Sequence, residues 1–214
     1  MTAIKICGIT RPEDLALCEE LGVEYVGFNF VRTSPRCISI DQTIKLGSGL
    51  KRTKAVGIFV DGERKDLADI LDRVPLDAVQ IYNPSLEELL QIKQGNIPII
   101  HAFRSIPGES DLTALIDAGD QILLDGSKNG SMADLSAIAA LPAAIRNNLF
   151  LAGGLNAGNV AASIQKVQPF AIDAASGIES SPGIKDHAKV REFVEAVRTG
   201  GNRGVRRVRR IRGT

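Results

Sequence analysis

Short runs of branched apolar residues recur along this chain at intervals of about 20 to 29 residues, and longer amphipathic stretches separate them. The runs are too apolar for strands with one solvated face, and they are typical of strands buried on both faces in a parallel sheet. We therefore predict eight buried strands, at residues 4–7, 25–30, 55–59, 78–81, 97–103, 121–125, 149–152 and 171–173.

Apolar positions with helical spacing occupy stretches between these strands, including residues 11–21, 63–73, 85–94, 156–166 and 186–198. Local signals for helix starts agree with this pattern. Thr10 precedes a first turn that contains Pro12, which is a favoured position for proline. Ser85 precedes two Glu residues, and Ser110 precedes Asp111. We predict Thr10, Ser85 and Ser110 as helix N-caps.

The alternation of strand and helix predicts parallel strands joined by right-handed crossovers, because each interval has room for one helix and two short loops. Eight such units favour a single closed (β/α)₈ barrel of the TIM type, and 214 residues require its helices to be short. A doubly wound open sheet is the alternative, but it would place a glycine fingerprint after the first strand. That turn reads Cys7-Gly8-Ile9-Thr10 instead. In a barrel, chemistry is expected at the C-terminal ends of the strands.

The composition, with 44% hydrophobic and 24% charged residues, is typical of one soluble domain. No stretch approaches the ~20 consecutive apolar residues of a membrane helix, and the start of the chain lacks a signal peptide's hydrophobic region. Cys7, Cys18 and Cys37 cannot all pair within one chain and have no zinc-site spacing. We therefore expect free thiols, no metal site, no membrane partner and a cytoplasmic location.

Charge is distributed unevenly along the chain. The formal net charge is +1, but residues 200–214 carry six Arg and no acidic residue. Residues 1–199 contain 20 basic against 25 acidic residues. We predict a barrel domain at 1–199 and a solvated or disordered Arg-rich tail at 200–214, which has too little apolar surface to order itself. Nucleic acid is not an expected partner, because no aromatic residues that could stack on bases interleave the arginines.

Two glycine-bearing turns, Gly153-Gly154 and Ser176-Gly177, follow the seventh and eighth predicted strands. Backbone N–H groups at a helix start bind phosphate through hydrogen bonds and the helix dipole. Barrels commonly hold phosphate after these two strands. Either glycine turn alone is equally compatible with a simple tight turn. The two together predict a phosphate site.

Two candidate catalytic side chains lie at predicted strand ends. Cys7 ends the first strand, where helix N-termini and basic residues would lower its pKa and make it a nucleophile or proton acceptor. Asp125 ends the sixth strand beside an apolar run, whose desolvation would favour the protonated form that a general acid needs. The alternatives are an inert buried thiol for Cys7 and a turn-capping carboxylate for Asp125.

Other polar residues near strand ends are candidate ligand contacts. Arg36 follows Pro35 in a loop, and its planar guanidinium suits a carboxylate on a ligand. Gln80, Arg104 and Asp173 lie at or next to the ends of the fourth, fifth and eighth strands, and we expect Gln80 and Asp173 to bind substrate. Four residues without such a position are assigned structural or solvated roles: Cys18, Cys37, His101 and His187.

At these positions the chain resembles the phosphoribosylanthranilate isomerase family, from about residue 4 to residue 197. The matching motifs are KICGIT (5–10), GFxF (27–30) with SPR (34–36), VGIFV (56–60), AFR (102–104), LLD (123–125), LAGGL (151–155), and SGIE (176–179) with PGxKD (182–186). The resemblance implies a (β/α)₈ barrel without metal or organic cofactor, and we expect a monomer or homodimer. It also implies a small phosphorylated substrate: N-(5-phosphoribosyl)anthranilate, converted to 1-(2-carboxyphenylamino)-1-deoxyribulose 5-phosphate by Amadori rearrangement in tryptophan biosynthesis.

The resemblance further implies roles for single residues. Asp125 corresponds to the general acid that protonates the ribose ring oxygen, and Cys7 to the general base that removes the C2 proton. Arg36 corresponds to the contact with the anthranilate carboxylate. The positions that match the phosphate loops are Gly153, Gly154, Ser176 and Gly177.

The chain also departs from the family pattern. Tyr82-Asn83 stands where the family usually has His-Gly, and Ala133 replaces an expected Phe. A first alternative is therefore a relative that isomerises another N-substituted aminoribose phosphate. A second is a non-catalytic barrel that binds a phosphate ligand, or that docks to nucleic acid or an acidic partner through its Arg-rich tail.

Overall fold

A computed structural model describes residues 1–60, 67–84, 89–90, 92–93, 95–126 and 134–208, with residues 201–208 described by their backbone alone. Parallel strands β1 to β8 form a closed barrel in chain order. Their bounds are β1 Ala3–Cys7, β2 Tyr25–Asn29, β3 Lys54–Val60, β4 Ala78–Tyr82, β5 Ile99–Phe103, β6 Gln121–Asp125, β7 Leu149–Ala152 and β8 Ala171–Ala174. The predicted barrel and all its strands are confirmed, and the open-sheet alternative is wrong.

Helices surround this barrel. Their bounds are α1 Pro12–Leu21, α2 Ile40–Gly47, α3 Leu67–Arg73, α4 Glu109–Asp117, α5 Leu135–Ala139, α6 Ala143–Arg146, α7 Val160–Val167 and α8 His187–Val208. After β8, a 3₁₀ helix at Ser176–Ile178 leads into an antiparallel hairpin, β9 Glu179–Ser181 and β10 Ile184–Lys185. Sequence periodicity did not predict this hairpin, which lies over the same barrel end as the loops after β1 and β2.

Two of the predicted helix caps are wrong. Helix α1 is preceded by Arg11 and α4 by Gly108, and neither has a side-chain cap. The Thr10 hydroxyl instead donates a 2.5 Å hydrogen bond to the Gly183 carbonyl, which ties the first loop to the β9–β10 hairpin. The predicted cap Ser85 lies outside the described residues, as does much of the helix predicted at 85–94.

Helix α7 begins later than the predicted residue 156. The Asn156 side chain accepts a hydrogen bond from the Gly158 backbone N–H at 2.9 Å, and this local turn competes with helix. The two glycines after β7 are therefore separated from the helix start by an ordered loop.

The core has two apolar layers. Inside the barrel, a cluster packs around Phe150, and Tyr25 and Phe170 contact its ring edge-to-face at the N-terminal end. A larger cluster of Ile, Leu and Val lies between the strands and the helices. Both strand faces are thus buried, as the apolar runs predicted. The apolar filling of the barrel closes its N-terminal end and leaves polar residues at the other.

The final helix continues beyond the predicted domain boundary at residue 199. Helix α8 ends at Val208, so the first part of the Arg-rich segment continues it, and 209–214 lie outside the described residues. The division into domain and tail stays a prediction. Within the described ranges, every helix is too short or too polar to cross a membrane.

Candidate active site

A polar cavity of about 400 Å³ opens at the C-terminal ends of the barrel strands. Its lining combines residues from strands and loops far apart in the chain, which only the closed barrel brings together. Every residue that the sequence analysis proposed for catalysis or substrate binding lines this cavity: Cys7, Arg36, Gln80, Asp125, Gly153, Gly154, Asp173, Ser176 and Gly177.

Cys7 ends β1 and pairs in register with Gly27 of β2. A Cβ atom at Gly27 would lie 3.1 Å from the Cys7 Sγ, so glycine leaves room for the thiol. Burial raises the pKa of Cys7 above its ordinary value, although the positive charges of Lys5 and Lys185 act in the opposite direction. The predicted lowering of this pKa is therefore wrong, because desolvation outweighs the nearby cations.

A buried ion pair lies one strand step below Cys7. Lys5 is fully buried inside the barrel, and its Nζ is 3.0 Å from Oδ2 of Asp173, its register partner on β8. Burial alone would lower the pKa of Lys5, but Asp173 and Cys7 hold it above its ordinary value. A buried ammonium group thus lies beneath the cavity, against Asp173, which lines it.

Asp125 ends β6, and the side chain of Tyr82 on β4 reaches toward it. The Tyr82 hydroxyl lies 3.5 Å from Oδ2 of Asp125. Burial and the Asp125 charge raise the pKa of Tyr82, so this phenol keeps its proton. The guanidinium carbon of Arg104 lies 5.4 Å from the centre of the Tyr82 ring, a cation–π distance. The departure from the family at Tyr82 therefore adjoins the predicted acid, whereas Ala133 lies outside the described residues.

Arg36 is held by a carboxylate that the sequence analysis did not assign. Its Nε and Nη2 lie 2.8 and 2.6 Å from the two carboxylate oxygens of Glu179. Lys185 Nζ donates to the same carboxylate at 2.8 Å and to the backbone carbonyl of Cys7 at 2.7 Å. This cluster connects the loop after β2, the β9–β10 hairpin and the end of β1.

The two glycine turns after β7 and β8 are in contact. Gly153 and Gly154 have φ angles of +102° and +64°, conformations that glycine adopts without strain. A Cβ atom at Gly177 would collide with the Leu155 carbonyl oxygen, so the two turns approach closely only because residue 177 is glycine. The 3₁₀ helix begins at Ser176, directly at the cavity, whereas α7 begins after Asn159. The predicted helix start after Gly154 is therefore wrong, while the two turns do adjoin each other.

Sequence analysis missed three charged residues of this region, namely Lys5, Glu179 and Lys185. A lysine inside an otherwise apolar strand was a usable signal, because lysine is almost never fully buried without a partner. Glu179 and Lys185 stood in the motifs of the resemblance, but neither spacing nor periodicity shows which cations a glutamate will meet.

Both histidines and the two cysteines other than Cys7 lie away from the cavity lining. His101 Nε2 is 3.0 Å from Asp120 Oδ2 in a buried pair, and His187 Nε2 is 2.9 Å from Asp14 Oδ1. In the part of the chain that the structure describes, no group of His, Cys, Asp and Glu residues is arranged to hold a metal ion. The two other cysteines are Cys18, whose pKa burial raises to about 12, and Cys37, which is exposed.

The fold and the position of this site define a (β/α)₈-barrel enzyme. The sequence profile of the family described as N-(5'-phosphoribosyl)anthranilate (PRA) isomerase matches residues 4–196. The chain belongs to this family, whose members are isomerases of tryptophan biosynthesis.

Individual relatives agree with this assignment. The N-(5'-phosphoribosyl)anthranilate isomerase of Pseudomonas paraeruginosa is 39% identical over 204 residues, covering 92% of this chain and 96% of the relative. The crystal structure of phosphoribosyl anthranilate isomerase from Thermotoga maritima superposes with a TM-score of 0.81 at 35% identity, covering 93% of this chain and 100% of that chain. A crystal structure of such an isomerase in complex with reduced 1-(o-carboxyphenylamino)-1-deoxyribulose 5-phosphate has a TM-score of 0.79 at 35% identity, with 93% and 100% coverage.

Proposed function

We propose that this chain converts N-(5-phosphoribosyl)anthranilate to 1-(2-carboxyphenylamino)-1-deoxyribulose 5-phosphate in the cavity at the C-terminal end of the barrel. The observation that carries this proposal is that Cys7 and Asp125, two groups that can exchange protons, line one cavity together with Arg36 and both glycine turns. The reaction is an internal rearrangement, so no atom is gained or lost and no oxidant or reductant is needed.

The carboxyl group of Asp125 acts first, as general acid. It donates a proton to the ribose ring oxygen, and the bond between this oxygen and C1 breaks as the nitrogen lone pair forms a Schiff base. The neighbouring Tyr82 hydroxyl, at 3.5 Å, can donate to the carboxylate that results. This hydrogen bond would keep the Asp125 carboxylate in the same orientation between turnovers.

Cys7 then acts as general base. Its thiolate removes the proton from C2, and the electron pair moves into an enolamine that tautomerises to the ketone by taking up a proton at C1. The buried ammonium of Lys5 and the cation of Lys185 favour the thiolate against the cost of burial. The mechanism thus requires one protonated and one deprotonated group at the start of the reaction.

The two ends of the substrate are bound by different chemistry. Backbone N–H groups of the turns at Gly154 and Gly177 bind the phosphate through hydrogen bonds and local dipoles. Arg36 binds the carboxylate of the anthranilate ring, and Gln80 and Asp173 contact the sugar between them. We expect the enzyme to act in the cytoplasm as a monomer or homodimer. A dimeric phosphoribosylanthranilate isomerase is known from Thermotoga maritima, with 34% identity and a TM-score of 0.78 for its monomeric form.

The direct test is an assay with freshly prepared substrate, following the loss of anthranilate fluorescence. We expect purified protein to accelerate this loss above the spontaneous background. Cys7→Ser and Asp125→Asn should each lower kcat by at least ~10²-fold, the usual scale for removal of a general acid or base. Cys37→Ser, at an exposed thiol outside the cavity, is the matched control and should retain wild-type kcat. Absence of activity in the wild type would refute the function, and full activity in either site variant would refute that residue's role.

A different substrate of the same class is the second candidate, because Tyr82 occupies the position beside Asp125 where the family usually has histidine. Expression of this chain in a tryptophan auxotroph that lacks the isomerase discriminates between the two. We expect growth without tryptophan. Failure to grow, with soluble protein present, would favour another N-substituted aminoribose phosphate.

A further inference from the structure

Glu179 is a buried carboxylate at the edge of the cavity, and cations from two other elements converge on it. Its side chain is 4% exposed, that of Arg36 is 21% exposed, and that of Lys185 is fully buried. Burial of Glu179 raises its pKa, but the hydrogen bonds from Arg36 and Lys185 outweigh this and hold the pKa below its ordinary value. The carboxylate is therefore charged, with two cations around one anion.

The Arg36 guanidinium presents only part of its hydrogen-bonding capacity to Glu179. Nε and Nη2 donate to the two carboxylate oxygens, a bidentate contact. Among the described residues, no hydrogen bond engages Nη1, and Arg36 lines the cavity. The end of the guanidinium formed by Nη1 and the second proton of Nη2 is thus available to another planar anion. The net charge of the cluster also favours binding of such an anion, because Arg36, Lys185 and Glu179 together carry one excess positive charge.

The stem of Arg36 is also fixed. A Cβ atom at Gly8, where φ is +77°, would lie 2.5 Å from Arg36 Cδ, so the stem crosses the backbone at a position that only glycine permits. Glu179 is anchored in turn, because Gly183 donates its backbone N–H to Oε1 at 3.3 Å and Lys189 Nζ donates to the backbone carbonyl at 2.8 Å. Without the carboxylate, the arginine head would regain rotamer freedom that ligand binding must remove again.

We propose that Glu179 is a positioning residue for substrate selection: it orients the Arg36 guanidinium so that the remaining Nη1–Nη2 end binds the carboxylate of the substrate's aromatic ring. This inference rests on the proposed function of Arg36. Glu179 does not contact the reacting atoms. It acts through Arg36, and its effect is confined to ligands that carry the ring carboxylate.

The test compares two inhibitors that differ in one group. The first is the reduced product, 1-(2-carboxyphenylamino)-1-deoxyribitol 5-phosphate, and the second is the same compound without the carboxyl group. We expect the wild type to bind the first at least ~10-fold more tightly, as a charge-assisted bidentate contact allows. Arg36→Met and Glu179→Gln should each remove most of this preference and leave affinity for the second inhibitor within about threefold, because the phosphate turns are untouched.

Controls separate positioning from a purely structural role. Glu20→Gln removes an exposed carboxylate that pairs with Arg191 far from the cavity and should leave both affinities unchanged. Glu179→Asp retains the charge that buried Lys185 needs but is one methylene too short to hold both Nε and Nη2, so it should lose the preference while its thermal melt stays close to that of the wild type.

The outcomes distinguish the inference from the proposed function. Equal affinity of the wild type for both inhibitors would refute the proposed role of Arg36. Loss of the preference in Arg36→Met, with retention in the folded Glu179 variants, would refute only the positioning role. An equal loss of affinity for both inhibitors in the Glu179 variants would show that Glu179 supports the fold of the site and does not select the carboxylate.

Discussion

Cys7 is a general-base candidate whose burial opposes its task. Burial and the negative charge of Asp173 raise its pKa and thereby favour the thiol, whereas Lys5, Lys185 and Arg36 favour the thiolate. Below this pKa the thiolate population rises about tenfold with each pH unit. Catalysis by Cys7 would therefore depend on a minor ionised population near neutral pH.

The resulting prediction concerns pH dependence. Because the thiolate is the form that reacts with iodoacetamide and the pKa of Cys7 is raised, the rate of Cys7 alkylation should keep increasing with pH beyond the ordinary pKa of a thiol, about 8.5. A bound inorganic phosphate or reduced product, which fills the cavity, should slow this alkylation. The measurement uses the Cys37→Ser background, which removes the exposed competing thiol, with Cys7→Ser in that background as the unreactive control. An alkylation midpoint below the ordinary value would contradict the raised pKa of Cys7.

At the residue scale, the sequence could predict where a functional residue lies in the fold, but it could not predict whether its side chain is ionised. Cys7 and Asp125 were located because each ends an apolar run, and strand ends meet at one rim of a barrel. The pKa of Cys7 depends on Lys185, which is distant in sequence, and on how deeply the thiol is buried. The contact between Arg36 and Glu179 could not be predicted for the same reason. Its carboxylate comes from a distant hairpin that sequence periodicity did not reveal.

At the scale of elements, the glycine turns after β7 and β8 form one composite loop pair. Gly177 permits close approach to the Leu155 carbonyl, and Gly154 adopts a left-handed conformation at the cavity lining. Neither turn brings a Lys or Arg side chain to the lining beside it. The phosphate recognition that we propose there would rely on backbone N–H groups, so it should be sensitive to any negative charge placed among them.

We predict that Gly154→Asp raises KM by at least ~10-fold while the protein stays folded, through like-charge repulsion of the phosphate. Asp and Asn both tolerate the left-handed backbone conformation better than most residues. Gly154→Asn is therefore the matched control: it adds nearly the same bulk without the charge and should raise KM much less. KM, competitive inhibition by inorganic phosphate and a thermal melt test this. A normal KM in folded Gly154→Asp would show that the phosphate is bound elsewhere.

Strands were more predictable than the elements that connect them. Each barrel strand is buried on both faces, and its apolar composition is visible in one short window. The start of a helix depends on which hydrogen-bond partner a single side chain takes. The Thr10 hydroxyl donates to the Gly183 carbonyl instead of capping α1, and the Asn156 side chain forms a local turn, so α7 begins later. Helix α2 was not singled out at all, although Ser39 and Gln42 form a capping box at its start.

At the scale of the whole molecule, the catalytic barrel and the Arg-rich C-terminal segment have separate charge character. Among the described residues, those that line the cavity all precede residue 178, and the hairpin that supports Arg36 ends at Lys185. Helix α8 follows and packs chiefly on α7, with Gly200 close against Ala161. The architecture could be predicted from the repeat of eight apolar runs, whereas the exact end of the last helix could not, because Gly-Gly at 200–201 suggests a helix end that the structure does not have.

The last prediction is that truncation after Thr199 leaves kcat and KM within about twofold of the full-length values, since surface changes away from the site have small effects. It removes six arginines, and the described cavity lining comes entirely from residues before 178. A second variant, with these arginines replaced by serine in the full-length chain, separates loss of charge from loss of helix. Steady-state kinetics are combined with binding of a labelled duplex DNA and a single-stranded RNA at several salt concentrations, because phosphate contacts give a steep salt dependence.

We expect unchanged kinetics in both variants and no salt-dependent binding by the intact protein. A large loss of activity on truncation alone would make the end of α8 part of the catalytic domain. Salt-dependent nucleic-acid binding that both variants lose would give the tail a function of its own.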